Sequence, residues 1–391
     1  MLHSFSGGSD GVGGGAVTPD RRGNLYGASM GGGSLNCRLG CGVIWELTPP
    51  QSSEGWTFAT LYDFTGGSDG AYPNGGLLLG PSGDLYGTTT WDGAHNYGTA
   101  FELSSGSNGW SLTTLHAFCS EPPPNCVDGG TSAGLVWGPG DEPYGTSPYG
   151  GTHEGGAIFK LVPGSGRWTY SVLHSFQSSS YGHSAPGGSD PYDGLVMDQS
   201  ANLYGTTYDG GVGYGVVFEL TLNAGHWQEH VLHRFTGFSD GAETSSGVTL
   251  DTAGNLYGTT LIGGGKNGCT GGCGTVYKVA PQHNGRWRET LIHTFGNGHN
   301  GAWPYGGVVM EKAGNLYGFA LGPGGASCNV IYKLAPAPKG KWKYSIVHTF
   351  GEGHDGCTAV GNLTIDSSGN LYGGTMDGGA YGYGVAFEIT P

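Results

Sequence analysis

Leu195-Val196-Met197-Asp198-Gln199-Ser200-Ala201-Asn202-Leu203-Tyr204-Gly205-Thr206-Thr207, followed by Val216-Val217-Phe218-Glu219-Leu220 and by Trp227 to Phe235, reads as four short strands. Apolar runs of about five residues separated by turn residues are strand-like, because helices need roughly ten or more residues of 3.6 periodicity. The first turn recurs as Asp251-Thr252-Ala253-Gly254-Asn255 and Asp366-Ser367-Ser368-Gly369-Asn370. Asp and Asn bond their own backbone and Gly takes positive φ, which is hairpin chemistry.

Working outward, the unit repeats. An aliphatic-X-X-Phe strand end begins at Leu2, Leu61, Leu115, Leu173, Leu232, Ile292 and Val347, at spacings of 59, 54, 58, 59, 60 and 55 residues. Leu-Tyr-Gly begins at Leu25, Leu85, Leu203, Leu256, Leu316 and Leu371, and the third copy reads Pro143-Tyr144-Gly145. Seven tandem copies of four antiparallel strands predict an all-β fold, a single seven-bladed β-propeller over residues 1–391. Blades are expected to start near residues 16, 75, 134, 194, 247, 307 and 362. The chain opens on a lone fourth strand, residues 1–5, and ends after a third strand, Val385 to Ile389. If the first completes the last blade, the ring has no open edge. A monomer is therefore expected.

Composition narrows the function classes. Gly is 83 of 391 residues, yet aromatics reach 12%, too many for a disordered chain. The net charge of −15 leaves no basic stripe for nucleic acid, Arg21–Arg22 being the clearest basic pair. No apolar run approaches the roughly 20 residues of a membrane span, so no membrane insertion is expected. Met1 leads straight into repeat sequence. Eight cysteines nevertheless argue for an oxidising compartment, so an export signal is expected to have been trimmed and the protein to be extracellular or on the cell surface.

Strand order places the second-to-third and blade-to-blade loops on one rim, and the hairpin turns on the other. All eight cysteines fall on the first rim. We expect disulfides 37–41, 119–126, 269–273 and 328–357 in preference to a zinc site, because Cys-X₃-Cys lacks a second Cys/His pair nearby.

The alternation of Leu-His-Ser-Phe-X-Gly-Gly-Ser-Asp-Gly, Gly-Asn-Leu-Tyr-Gly-Thr-Thr and Gly-Thr-Val-Tyr-Lys resembles the GloVer-type tandem repeat of bacterial exported proteins, over essentially the whole chain. The resemblance implies a secreted propeller and no agreed activity. Members often carry a C-terminal surface anchor, which does not follow Pro391 here. The Asp-X-X-Gly-Asn-Leu-Tyr turn is more weakly similar to NHL and streptogramin-lyase-like propellers.

In a repeat protein, a residue present in every copy is read as structural, and one that breaks the pattern as a functional candidate. His3, His116, His174, His233, His293 and His348 recur, and are expected to hydrogen-bond between blades. Trp56, Trp110, Trp168, Trp227, Trp287 and Trp342 recur as blade packing, and Asp10, Asp69 and Asp240 as turn caps. Calcium on these aspartates has weak support, since each loop lacks three or more oxygen ligands, and no cofactor is expected.

The pattern breakers are Trp91, Tyr97, Tyr149, Tyr181, His183, Tyr208, Tyr214, Trp303 and Tyr305 as substrate-binding candidates, with His299 and His354 further round. His95, His153, Glu154, Asp92 and Asp209 are the catalytic candidates. The competing reading is that Tyr and His merely cover glycine-rich loops. Aromatic faces beside carboxylates and amides suit a glycan or polysaccharide. The alternative is a polysaccharide lyase or glycoside hydrolase on the same rim. A lyase wants cations, of which Arg38 and Lys266 are the nearest, and a hydrolase wants a carboxylate pair such as Glu154 with Asp92 or Asp209. The third reading is a protein-binding surface module.

Overall fold

A computed structural model describes residues 1–50, 55–121, 126–130, 134–179, 185–265, 268–296, 300–323 and 328–391. Their strands form seven four-stranded antiparallel sheets arranged as blades in a ring, and no α-helix occurs among them. The fourth blade contains Val196–Met197, Leu203–Thr207, Val216–Asn223 and His226–Arg234, ordered from the axis outward. The seventh contains Ala359–Ile365, Leu371–Thr375, Val385–Ile389 and, outermost, His3–Ser4. His3 pairs with Ala386 and Ser4 with Val385, so the N-terminal strand closes the ring. At the axis the Thr364 hydroxyl donates to the Val17 carbonyl at 2.5 Å, joining blade seven to blade one.

The Leu-Tyr-Gly strand is buried at every position in blade four. Its Gly is required by close approach: a Cβ on Gly205 would lie 2.7 Å from the Phe218 ring of the third strand. The preceding Tyr packs outward across the seam, where Trp227 meets Tyr144, Trp168 meets Tyr86 and Trp287 meets Tyr204 at 6.4, 5.9 and 6.1 Å. The recurrent tryptophans are therefore seam residues between blades.

The histidines act differently from the sequence expectation. Their hydrogen bonds stay mostly within their own segment, while their rings cross the seam. His3, His116 and His348 bond Asp10, Asp128 and Asp355 of the linker that follows, at 3.1, 3.0 and 2.9 Å. His3 stacks on Phe58 of the next blade, and His116 on Tyr170, at 4.1 and 3.9 Å. The linker Asp binds strongly because it has two oxygens and so caps a turn while holding the imidazole. Ser6 and Thr65 each donate a backbone N–H to Asp10 and Asp69 at 2.8 Å. His174 is the exception; its Nε2 lies 3.5 Å from Glu229 of the next blade.

All four expected disulfides form, joining Cys37 to Cys41, Cys119 to Cys126, Cys269 to Cys273 and Cys328 to Cys357.

Candidate functional site

The inner strands start on the loop-rich rim, and their first residues surround an axial cavity of about 490 Å³. A second chamber of about 270 Å³ lies deeper, and Ala16, Gly76, Gly134, Asp193 and Asn362 border both. Most copies place Gly at this level, so the side chains of Asp193 and Asn362 are what stand between the two chambers. Asn362 donates an amide N–H to Asp193 Oδ2 across the axis at 3.3 Å. Asp193 also accepts the N–H groups of Gly194 and Gly247, both at 2.7 Å, and Asn362 accepts that of Gly307 at 2.7 Å.

The cavity wall is two-sided. Met30, Met376, Val360 and Pro73 make an aliphatic side on blades one, two and seven. Tyr192, Ser245 and Tyr305 face them from blades four, five and six. Tyr192 and Tyr305 are 40% and 45% exposed. Asp193 is the one charged side chain among the described lining residues.

The linker slot beside the mouth is strained. Tyr72, Asp190, Glu243 and Trp303 have φ of 56°, 59°, 59° and 46°, where non-glycine residues pay about 1–2 kcal/mol. Each N–H is fixed by a carbonyl of the preceding blade, Tyr72 by Cys41 at 2.8 Å and Trp303 by Cys273 at 2.7 Å. Blade one has Gly13 in that slot, with φ of 69° and its N–H on Tyr383 at 2.7 Å.

Of the sequence candidates, Tyr149 and Tyr208 flank Tyr192. The hydroxyls of Tyr149 and Tyr192 are 2.9 Å apart, and the Tyr192 and Tyr208 rings lie 5.5 Å apart. Asp209 shares this sector: its backbone bridges Ser189, and its charge bears on Asp190. Burial, then Asp209, pushes the Asp190 carboxyl up to about 6. Tyr208 is pushed up to about 12, by burial first and then by its bond to Glu243.

Trp91 ends its strand opposite Ala71 and is 54% exposed. Asp92 sits 3.8 Å from the Cys37 sulfur, and its carbonyl accepts the Gly98 N–H that closes the loop at 2.9 Å. His95 and His354 are exposed, and His153 is exposed with its Nδ1 2.9 Å from the Thr152 hydroxyl. Glu154 is exposed and starts a third strand opposite Gln177. Tyr97 packs beside Phe118 and Phe159, with its ring over Gly130. Tyr214 lies over Gly237, as Tyr383 lies over Gly7. Trp303 is half-buried against the cluster that holds Cys273 and Ala302. Tyr181, His183, Lys266 and His299 lie outside the described residues.

Sequence reasoning missed Tyr192, Asp193, Asn362, Asp190, Met30 and Met376. The signal for Tyr192 was present: Asp190-Pro191-Tyr192 matches Trp303-Pro304-Tyr305, whose tyrosine was singled out. Among the described residues no three His, Cys, Asp or Glu side chains converge to hold a metal ion. None of their helices is long and apolar enough to cross a membrane.

Seven blades around an axial mouth define a propeller built from tandem repeats. The chain belongs to the Gloeobacter/Verrucomicrobia repeat family, which matches residues 1–211 and 180–387. No curated protein matches. A crystal structure of a putative oxidoreductase (glucose dehydrogenase) from Thermus thermophilus is similar at 16% identity, covering 78% of this chain and 91% of that one with a TM-score of 0.48.

Proposed function

We propose that this is a secreted carbohydrate-recognition propeller that binds a glycan at the axial mouth of its loop-rich rim. The observation that carries the reading is the pairing of Tyr192 and Tyr305, both half-exposed, with the Asp193–Asn362 floor beneath them. A tyrosine face accepts the C–H face of a sugar ring, while carboxylate and amide groups fix its hydroxyls. The cavity volume falls in the usual range of small-ligand sites. The strained linker slot supports the same place, since strain persists where the surroundings over-determine it and clusters at ligand sites. Four disulfides suit an oxidising, extracellular location.

A second reading, glycoside hydrolysis, is favoured by one observation. Asp190, pushed up to about 6 by burial and then by Asp209, keeps its proton in mildly acidic solution beside a second carboxyl that burial also raises. The test for both is a panel of polysaccharides, following retention and new reducing or unsaturated ends. Retention without product, lost in Tyr192→Ala and Tyr305→Ala, supports recognition alone. New ends lost in Asp190→Asn make it an enzyme. No signal on any glycan overturns both readings and points to a protein partner.

A further inference from the structure

We propose that the ligand is a neutral oligosaccharide chain, seated by one end in the axial cavity and lying along an aromatic arc over blades two to four. This rests on the glycan reading above and extends it to chain length and charge.

The arc follows from the repeat register. The residue that faces the linker across the second-strand end is Trp91 in blade two, opposite Ala71, Tyr149 in blade three, opposite Gly130, and Asp209 in blade four, opposite Ser189. Trp91 and Tyr149 therefore occupy one slot on consecutive blades, and they are 54% and 49% exposed. The same slot holds Gly31 in blade one and Ile262 in blade five, so the aromatic character is confined to this sector. Tyr149 is joined hydroxyl to hydroxyl with Tyr192, whose ring meets Tyr208. Since Tyr192 also lines the cavity, the Tyr149 end of the arc is continuous with the mouth. A single sugar seated in the mouth would leave Trp91 and Tyr149 unused. Exposed rings in series along a rigid rim are what an extended chain needs, one platform per few sugar units.

The charge argument selects among chains. Asp193 lies at the floor, and Asp190, Asp209 and Glu243 lie along the sector. Among the described lining residues there is no Lys or Arg, and Arg234, on the outer strand of blade four, donates its Nε to the Pro186 carbonyl at 3.2 Å. A uronate would bring a carboxylate to these acids without a cation to pair it, and desolvating such a charge unpaired is costly. A neutral hydroxyl instead finds one remaining acceptor site on Asp193 and one remaining N–H on Asn362.

The experiment takes the neutral polysaccharide that the protein retains, cuts it to a sized series of one to six sugars, and measures Kd for each on the full chain. A series of oligogalacturonides is run beside it. Affinity should rise at least about tenfold from monomer to tetramer, and that ratio should collapse to under about threefold in Trp91→Ala and Tyr149→Ala. Tyr149→Phe, which keeps the ring, should retain most of the gradient and shows that folding is not the cause. Affinity independent of length, or a gradient untouched by both alanine variants, overturns the chain. Uronide oligomers binding as tightly as neutral ones overturn the charge assignment. If no neutral glycan of any length binds, the failure is that of the axial reading itself.

Discussion

The carboxylate of Asp193 and the amide of Asn362 meet across the propeller axis at 3.3 Å, although 169 residues separate them. Asp193 precedes the inner strand of blade four, and Asn362 lies within that of blade seven. Their backbone partners, Gly194, Gly247 and Gly307, lie just before the inner strands of blades four, five and six, so this pair ties opposite sides of the ring. A carboxylate accepting several N–H bonds is held in one orientation, which makes it a fixed acceptor facing the cavity.

Removing it should therefore cost stability as well as binding. Asp193→Ala leaves the N–H groups of Gly194 and Gly247 without their acceptor, at about 1–3 kcal/mol. Asn362→Ala removes one long bond and the acceptor for Gly307, so its loss should be the smaller. Urea unfolding of the two variants checks the order. Equal stability of Asp193→Ala and wild type would show that the Asp193 hydrogen bonds do not stabilise the ring.

The Cys328–Cys357 disulfide spans 29 residues and connects the entry of a blade-six strand to the linker into blade seven. Closing that loop should contribute about 3.5 kcal/mol through the unfolded chain, against about 2 for the four-residue Cys37–Cys41 loop. Thermal denaturation of Cys328→Ser/Cys357→Ser and Cys37→Ser/Cys41→Ser double variants should rank them in that order. A larger loss from the short loop contradicts the loop-length argument.

Two opposed titrations should bear on stability at the seam between blades three and four. Burial lifts the Glu229 carboxyl to about 7, with Arg234 opposing, and burial, with His153, lowers His174 to about 4. A raised acid favours folding while protonated, so its contribution is complete below its unfolded value of 4.5 and is lost as pH rises through about 7. A depressed histidine contributes above 6.5 and loses that contribution as pH falls through about 4. Between about pH 4 and 7 the two effects oppose each other, the Glu229 contribution fading while the His174 contribution grows, so the pair leaves the wild-type profile nearly flat. Glu229→Gln removes only the falling part, so stability at pH 8 relative to pH 5 should rise by about 2–3 kcal/mol over wild type, read from urea midpoints against pH. An unchanged profile would falsify the assignment of that falling part to Glu229.

The fold was legible because every copy repeats the same steric demands. The Gly of Leu-Tyr-Gly must admit the ring of Phe218 or its counterpart, and the outer Phe, such as Phe235, must be buried. Such constraints recur seven times and survive a degenerate third copy. The site is different, because it depends on where the ring brings unlike copies together. Asp193 and Asn362 occupy adjacent slots that other copies fill with Gly75, Gly306, Gly194 and Gly247, and only closure makes them neighbours. The histidine bonds were misplaced for a related reason: spacing alone does not distinguish a linker Asp seven residues on from a partner across the seam.

Tyr214 shows how a pattern breaker can be structural. It precedes Gly215 at the entry of a third strand, the slot held by Cys41, Tyr97, Cys273 and Tyr383 in other blades. There its ring covers Gly237, just as the Cys37–Cys41 disulfide covers Gly66, so tyrosine and disulfide do the same work on a bare turn. Tyr214→Ala should uncover that turn and cost about 1–2 kcal/mol. Its carbonyl, which holds Glu243, is backbone and stays in place. Tyr192 covers no such turn; it borders the cavity and holds the Tyr149 hydroxyl. Tyr192→Ala should therefore lower glycan affinity by about tenfold or more while leaving the melting temperature within a few degrees of wild type. Measuring both quantities on both variants separates the roles: a crossed pattern supports them, and a loss of affinity in Tyr214→Ala matching that of Tyr192→Ala would place the site across the loop rim instead of at its axis.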